Sequence, residues 1–468
     1  MTRPLRVAVV GSGPAGVYAS DALMKSGREV SVDLIEKMPA PFGLIRYGVA
    51  PDHPRIKGII RSLHRVMDKP ELRLLANVEF GRDLTLAELS GLYDAVIIAT
   101  GAVGDRDLDV PGADLAGHHG AGEFVGFYDG NPLFPRDWDL SAEKVAVVGV
   151  GNVALDVARI LAKTAEELKV TEIPDNVHAT LSRNAAREVH IFGRRGPAQA
   201  KFTPLELKEL DGSRNVQVVV PGEDMVYDAA GEEARRSSKM VDQVCTILEG
   251  YAIRDLDDRP HRLYIHFLES PAEILGEDGR VTGLRTERME LDGSGGVRGT
   301  GEFTDWEVGA VYRAVGYRSD PVPDVPFDRS AHVIPNEAGR VLGADGAHIR
   351  GLYTTGWVKR GPVGLIGNTK GDANETVACL LDDVDAGRGL DPAAPGPGAV
   401  TELLDAKGVE YLTWEDWHAL DAHERALGEA EGRERKKVVE WAEMVARSRA
   451  ARADAIAEAA ADDADSAE

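Results

Sequence analysis

LRVAVVGSGPAGVYASDAL, from Leu5 to Leu23, is an apolar β-branched run, a glycine turn and the start of a helix, and VSVDLIE follows from Val30 as a second strand. This is a βαβ unit. Gly11 permits the sharp bend, Gly13 lets the backbone approach a pyrophosphate, and Gly16 lets the helix pack closely on the strand, with Pro14 and Ala15 between them opening the helix. Glu36 ends the second strand about twenty residues on, placed for a ribose diol. The stretch therefore reads as a dinucleotide-binding turn.

KVAVVGVGNVALDVARILA, from Lys144 to Ala162, repeats the pattern. Gly149 and Gly151 take the turn, Asn152 and Val153 open the helix, and Ala154 fills the third slot, an accepted variant of the fingerprint. No acidic residue follows where a ribose-binding carboxylate would sit. Instead the next strand, EVHIFGRRG, ends on Arg194 and Arg195. Two guanidiniums suit a 2′-phosphate that a carboxylate would repel, so the second turn reads as an NADPH site.

The first turn is assigned to FAD from sequence outside it. YDAVIIATGAVGDRDLDVPG, from Tyr93, carries a buried strand ending in Ala99, Thr100 and Gly101, the kind of crossover by which a chain leaves an FAD domain. VGAVYRAVGYRSDP repeats the strand-to-glycine idea near Gly316, and the segment from Gly351 to Val384 is a strand, a glycine-rich turn and a helix whose N-terminus could face a flavin. The expected fold is α/β, with two Rossmann-like dinucleotide-binding domains, for FAD and NADP, the FAD domain being discontinuous. The boundaries read as 1–105 for the first FAD segment, 106–318 for the NADP domain, 319–390 for the returning FAD segment, and 391–468 for a peripheral region with an acidic tail.

Acidic residues outnumber basic ones 78 to 54, a formal charge of −24, which disfavours nucleic acid and anionic membrane as partners. Cys245 and Cys379 lie far apart and form no CxxC pair, which argues against an intrinsic iron–sulfur centre, a redox dithiol or a metal site. No segment has the apolar length of a membrane span. With the first strand starting near Met1, a cytoplasmic protein is expected.

GSGPAG, PFGLIRYGVAPDHP, GVGNVALDVARILA, GRRGPAQAKFTPLELKEL and GWVKRGPVGLIGNTKGDA, in this order, resemble the adrenodoxin-reductase-like ferredoxin–NADP reductases, over nearly the whole chain to about Asp383. The resemblance implies an FAD enzyme moving electrons between NADPH and a ferredoxin. It places Leu44, Trp357, Gly364, Leu365 and Ile366 against the flavin, Gly364 also near the nicotinamide, Glu206 near the nicotinamide carboxamide, and His53 beside the flavin ring. His53, Glu206 and Trp357 are thus the candidate catalytic residues. Read by local rules alone, His53 is the cap, or the cap's next neighbour, of a helix opened by Pro54, and Glu206 caps or solvates a helix.

Beyond Pro54, Ile56, Ile59, Ile60, Leu63 and Met67 form a helical apolar stripe while Lys57, Arg61 and Arg65 recur every four residues on another face. In so acidic a chain this stripe is a candidate docking rim for an acidic ferredoxin, and Arg235, Arg236 and Lys239 form a second candidate cluster. Alternatives from other classes are a flavoprotein disulfide reductase, which lacks its dithiol here, an electron-input flavoprotein of the glutamate synthase small-subunit type, and a non-catalytic NADP(H)-responsive binding module.

Overall fold

The computed structural model describes residues 3–53, 58–364 and 366–450. The chain forms two compact units, one of Met1–Val49, His53–Gly104 and Tyr317–Glu468, the other of Ala50–Asp52 and Asp105–Gly316.

In the first unit, among the described residues, seven strands share one sheet. Their spatial order is Asn336–Glu337, Arg340–Leu342, His348–Thr354, Ala95–Ile98, Leu5–Val10, Val30–Glu36 and Leu72–Ala76. The last five run parallel. Strand Leu5–Val10 is buried throughout, because Val7 and Val9 enter one apolar cluster and Ala8 and Val10 another on the opposite face. That two-sided burial is the reason for its unbroken apolar run. The next strand in the chain lies on one side of Leu5–Val10 and Ala95–Ile98 on the other, so the connections diverge there. Ligands of open parallel sheets bind at such a switch point, beyond the carboxyl ends of the strands.

The second unit repeats the plan with a parallel sheet ordered His118–Gly120, Ala310–Arg313, Lys144–Val148, Glu188–Gly193, His261–Phe267 and Val216–Val219. Val145 and Val147 face the larger core, built mainly from helices. Ala146 and Val148 meet Ile274, Leu284 and Trp306 of an antiparallel three-stranded sheet, Glu269–Glu277, Arg280–Leu291 and Val297–Glu307. Strand Lys144–Val148 sits at this sheet's own switch point.

Residues beyond 391, expected at the periphery, instead complete the first unit's core. Val400 and Leu404 join one cluster, and Leu412, Trp417, Leu420 and Met444 the other. Leu412 and Ala76 exchange backbone hydrogen bonds at 2.8 Å each way. Thr413 and Asp416 form a capping box on helix Trp414–Glu429. The turn-rich DPAAPGPG break is a crossing rather than an exit, for Arg6 and Arg73 donate to the carbonyls of Gly396 and Pro397.

Asp383, almost fully buried on helix Ile366–Asp385, ties that helix to the sheet through Arg340 at 2.7 Å and the Tyr353 hydroxyl at 3.0 Å, and accepts from Arg388, just past the helix end, at 2.5 Å. Burial pushes its carboxyl up, but the hydrogen bonds from Arg340, Arg388 and Tyr353 win and hold it down at about 2, against an ordinary 3.8. A depressed carboxyl stabilises the fold above its unfolded value and loses that contribution as pH falls through the folded one. Asp383→Asn should therefore lower the thermal midpoint near neutral pH, by about 1–3 kcal/mol of stability. The gap to the parent should close as pH drops from about 4 towards about 2. A gap constant across that range would show that the carboxyl's charge contributes nothing.

Candidate functional site

In the first unit the three glycines of the turn do different work. Gly11 has φ +108°, and a Cβ there would lie 2.5 Å from the Ala99 carbonyl oxygen. A Cβ on Gly16 would lie 1.9 Å from the Gly11 oxygen. Both are glycine because the chain's own backbone is in the way. A Cβ on Gly13 would meet nothing within 4 Å, so nothing inside the protein demands glycine there. A bare backbone beside open space at the N-cap of helix Pro14–Met24, whose first N–H groups lack intrahelical partners, suits a phosphate.

Around this turn the structure brings together several expected residues. Glu36 ends its strand with Oε2 accepting from the Ser12 amide at 2.9 Å and hydroxyl at 2.6 Å, and Oε1 accepting from the Met38 amide at 2.9 Å. The Ser12 hydroxyl is a partner that the glycine pattern does not reveal. Phe42, buried with φ +83°, turns the chain so that a Gly43 Cβ would lie 3.2 Å from the Gly13 Cα, and half-buried Leu44 follows at the start of helix Leu44–Tyr47. Ala99 is held against the central strand by the hydrogen bond its amide donates to the Val10 carbonyl, Thr100 is exposed, and Gly101 has φ +76°.

The returning segment places half-buried Trp357 after Gly356, stacked on Tyr317 at 6.0 Å. Asp372, missed in the sequence, organises this corner. Its carboxylate accepts from the Gly356 amide at 2.5 Å and the Thr355 hydroxyl at 3.0 Å and pairs with Lys359 at 3.0 Å. The signal available was the Gly371-Asp372 pair in the first turns of the helix that follows TTG. Gly364 is exposed with φ +86°. Leu365 lies outside the described residues, as does the side chain of Ile366, which opens helix Ile366–Asp385. His53 is buried; Pro54, on which its reading as a cap depended, and Ile56 and Lys57 lie outside the described residues.

The second unit solves the same steric problem in the same way. Gly149 has φ +139°, and its Cβ would lie 2.3 Å from the Ala314 oxygen, just as Gly11 meets Ala99. Gly151 meets nothing within 4 Å. Ala154 is fully buried, so the third slot tolerates one methyl. Asn152 and Val153 open helix Asn152–Ala162, and the Asn152 Oδ1 accepts from the Thr203 amide at 2.9 Å, which fixes the Ala200–Thr203 stretch beside the turn. Arg194 is exposed and Arg195 half-buried, and neither guanidinium has a partner among the described residues. In a chain with 24 more acidic than basic residues, two adjacent unpaired arginines beside an anion-binding turn favour a phosphate.

Glu206 is buried, at the third position of helix Pro204–Glu209, where it accepts from the Thr203 hydroxyl at 3.0 Å while its amide donates back to that hydroxyl at 3.4 Å. The local reading, a helix cap, is what this geometry shows. Asp52, immediately before His53, is clamped by Arg159 at 2.9 Å and Lys163 at 2.8 Å.

The second basic cluster is not a free docking surface. Arg235 is mostly covered and committed to Glu249 at 2.5 Å and Asp242 at 3.2 Å, over the Tyr227 ring, and Arg236 pairs with Glu233 at 3.0 Å. Lys239 alone of the three is exposed without a partner among the described residues. By contrast Arg61 and Arg65, on helix Ile60–Met67, are exposed and have no partner among the described residues, while Leu63, Val66 and Met67 face the core. Among the described residues no acid, histidine and cysteine cluster could hold a metal, both cysteines are free, and no helix is long and apolar enough to cross a membrane.

The pyridine nucleotide-disulphide oxidoreductase family model matches residues 5–192. The chain is 41% identical over 459 residues to the NADPH-ferredoxin reductase FprA of Mycobacterium tuberculosis, spanning 95% of this chain and 99% of that one. It is 37% identical over 462 residues to the mitochondrial NADPH:adrenodoxin oxidoreductase of Arabidopsis thaliana, spanning 95% of each. The solved structure of Mycobacterium tuberculosis FprA in complex with NADPH is similar with a TM-score of 0.89 at 39% identity, over 95% of this chain and all of that one. With this likeness along both dinucleotide turns and the segments that follow them, the chain belongs to the adrenodoxin-reductase-like ferredoxin–NADP reductases.

Proposed function

We propose that this chain transfers electrons between NADPH and a one-electron iron–sulfur carrier of the ferredoxin type, with FAD as its resident cofactor. The observation that carries the reading is the pair of turns in one chain, each bare of side chain at its second glycine, the first served by Glu36 and the second by Arg194 and Arg195, which have no partner among the described residues. Bound FAD supplies the conversion between an electron pair from nicotinamide and single electrons for an iron–sulfur cluster. The chain's contribution is to bind and orient. Gly11, Gly13, Pro14, Ala15 and Gly16 present backbone to the pyrophosphate, and Glu36, held by Ser12 and Met38, takes the adenosine ribose. Leu44, Ala99, Thr100 and Gly101 would border that site, Trp357 and Gly364 would lie against the ring system, and His53 would orient it. Gly149, Gly151, Asn152 and Val153 receive the second pyrophosphate, Arg194 and Arg195 the 2′-phosphate, and Glu206 the carboxamide.

Two assays test this. Purified protein should release FAD, not FMN, on denaturation, and should reduce ferricyanide with NADPH, which a non-catalytic binding module would not do. For the carrier, the exposed Arg61 and Arg65 are the docking residues, since Arg235 and Arg236 are committed to carboxylates of their own. Attraction to an acidic ferredoxin must be local, since charges are screened over about 8 Å at physiological salt. Arg61→Glu with Arg65→Glu should slow ferredoxin-dependent cytochrome c reduction about three- to tenfold at low salt, through slower encounter, and leave ferricyanide reduction unchanged. Unchanged ferredoxin turnover would place docking elsewhere.

A further inference from the structure

The geometry points to Lys201 as a phosphate-binding residue of the second turn, one that holds the pyrophosphate common to all nicotinamide dinucleotides rather than the 2′-phosphate. The inference rests on the reading of Gly149–Gly151 as a dinucleotide turn.

Lys201 follows the Pro197–Gln199 turn and forms a parallel bridge with Gly151, its amide donating to the Val150 carbonyl at 2.9 Å. Two residues on, the Thr203 amide donates to the Asn152 side chain, so this stretch is fixed at both ends beside the turn. Residues paired across a ladder direct their Cβ atoms to the same face, and successive residues alternate. Phe202, the next residue, is buried, and Lys201 is exposed. The Cβ direction of Gly151, which Lys201 therefore shares, opens on space with no atom within 4 Å. The lysine stem thus leaves the backbone on the face left bare for a ligand.

Charge gives the second line of support. The Lys201 ammonium has no hydrogen bond or ion pair among the described residues, in a chain where acids outnumber bases by 24 and where arginines such as Arg235, Arg236 and Arg288 are paired. Its compact ammonium on a flexible stem suits a diphosphate, which offers acceptors over a range of directions. The rigid forks of Arg194 and Arg195 suit a terminal phosphate instead.

The division of labour is measurable. Lys201→Gln in the flavin-loaded protein should weaken NADPH and NADH binding by the same factor, about five- to twentyfold, in equilibrium titrations at low salt, and Lys201→Arg should restore most of the affinity for both. The thermal midpoint without nucleotide should not move, since the side chain is exposed and unpaired. A loss confined to NADPH would make Lys201 a 2′-phosphate ligand and overturn the assignment, as would affinities equal to the parent's. Parent protein that binds neither nucleotide would overturn the underlying turn reading along with it, a result seen before any variant is made.

Discussion

Arg194→Ala combined with Arg195→Ala should weaken NADPH binding by about 3–5 kcal/mol and leave NADH within a factor of two or so of the parent. Each charged hydrogen bond to a phosphate contributes about 1.5–3 kcal/mol, and solvent screening at the exposed Arg194 draws its share to the lower end. The effect is specific because neither side chain supports the fold. Both guanidiniums lack partners among the described residues, and the hydrogen bond that the Leu268 amide donates to the Arg195 carbonyl is made by backbone and survives the substitution. Titrating both nucleotides into each protein checks it. Equal losses for NADPH and NADH would mean that the arginines act on the common part of the molecule or on the fold. The expected pattern is the reverse of that for Lys201→Gln, so the two variants together separate 2′-phosphate from pyrophosphate recognition.

What could be read from the sequence was local in the chain. The turns at Gly11 and Gly149 are recognisable because the bend, the close approach and the helix start are all imposed within a few residues. The structure adds that the first glycine in each case faces a carbonyl brought in by a distant strand, Ala99 or Ala314. Features made by residues far apart were invisible or misread. Arg235 looks like a free cation in EEARRSSKM, and nothing in that string announces Glu249 on the following helix. Asp372 acts on Thr355 and Gly356 across a helix start whose geometry the string does not encode. Glu206 shows the opposite case, where the modest local reading as a cap describes the observed hydrogen bonds. The Pro and Gly run at 391–398 suggested an end to the core because turn residues mark a change of direction and carry no information on where the chain goes next. It returns to the same unit, held by contacts such as Arg6 to Gly396 that span most of the sequence.

The strongest of those long contacts gives the other large expected effect. Glu424 is fully buried and takes Arg46 through two hydrogen bonds, at 2.5 and 3.0 Å, and Arg435 at 3.1 Å, besides the Val438 amide at 3.0 Å. Arg46 is itself buried, against the rings of Tyr47 and Trp417, and Lys437 donates to its carbonyl. Glu424→Gln keeps the shape and removes the charge, leaving Arg46 in a site where water cannot replace its partner. Breaking one side of a buried pair costs about 3–5 kcal/mol. Asp385→Asn, which removes only the partial surface partner of Arg28, should cost under about 1 kcal/mol. Arg46 stands two residues after Leu44 and three after Gly43, whose backbone lies against Gly13. The loss should therefore appear at the flavin site as well as in the core: Glu424→Gln should unfold at lower denaturant and release FAD at lower denaturant still, whereas Asp385→Asn should do neither. Lowered stability with flavin release still coincident with global unfolding would show that Glu424 braces the core without shaping the turn at residues 42–47.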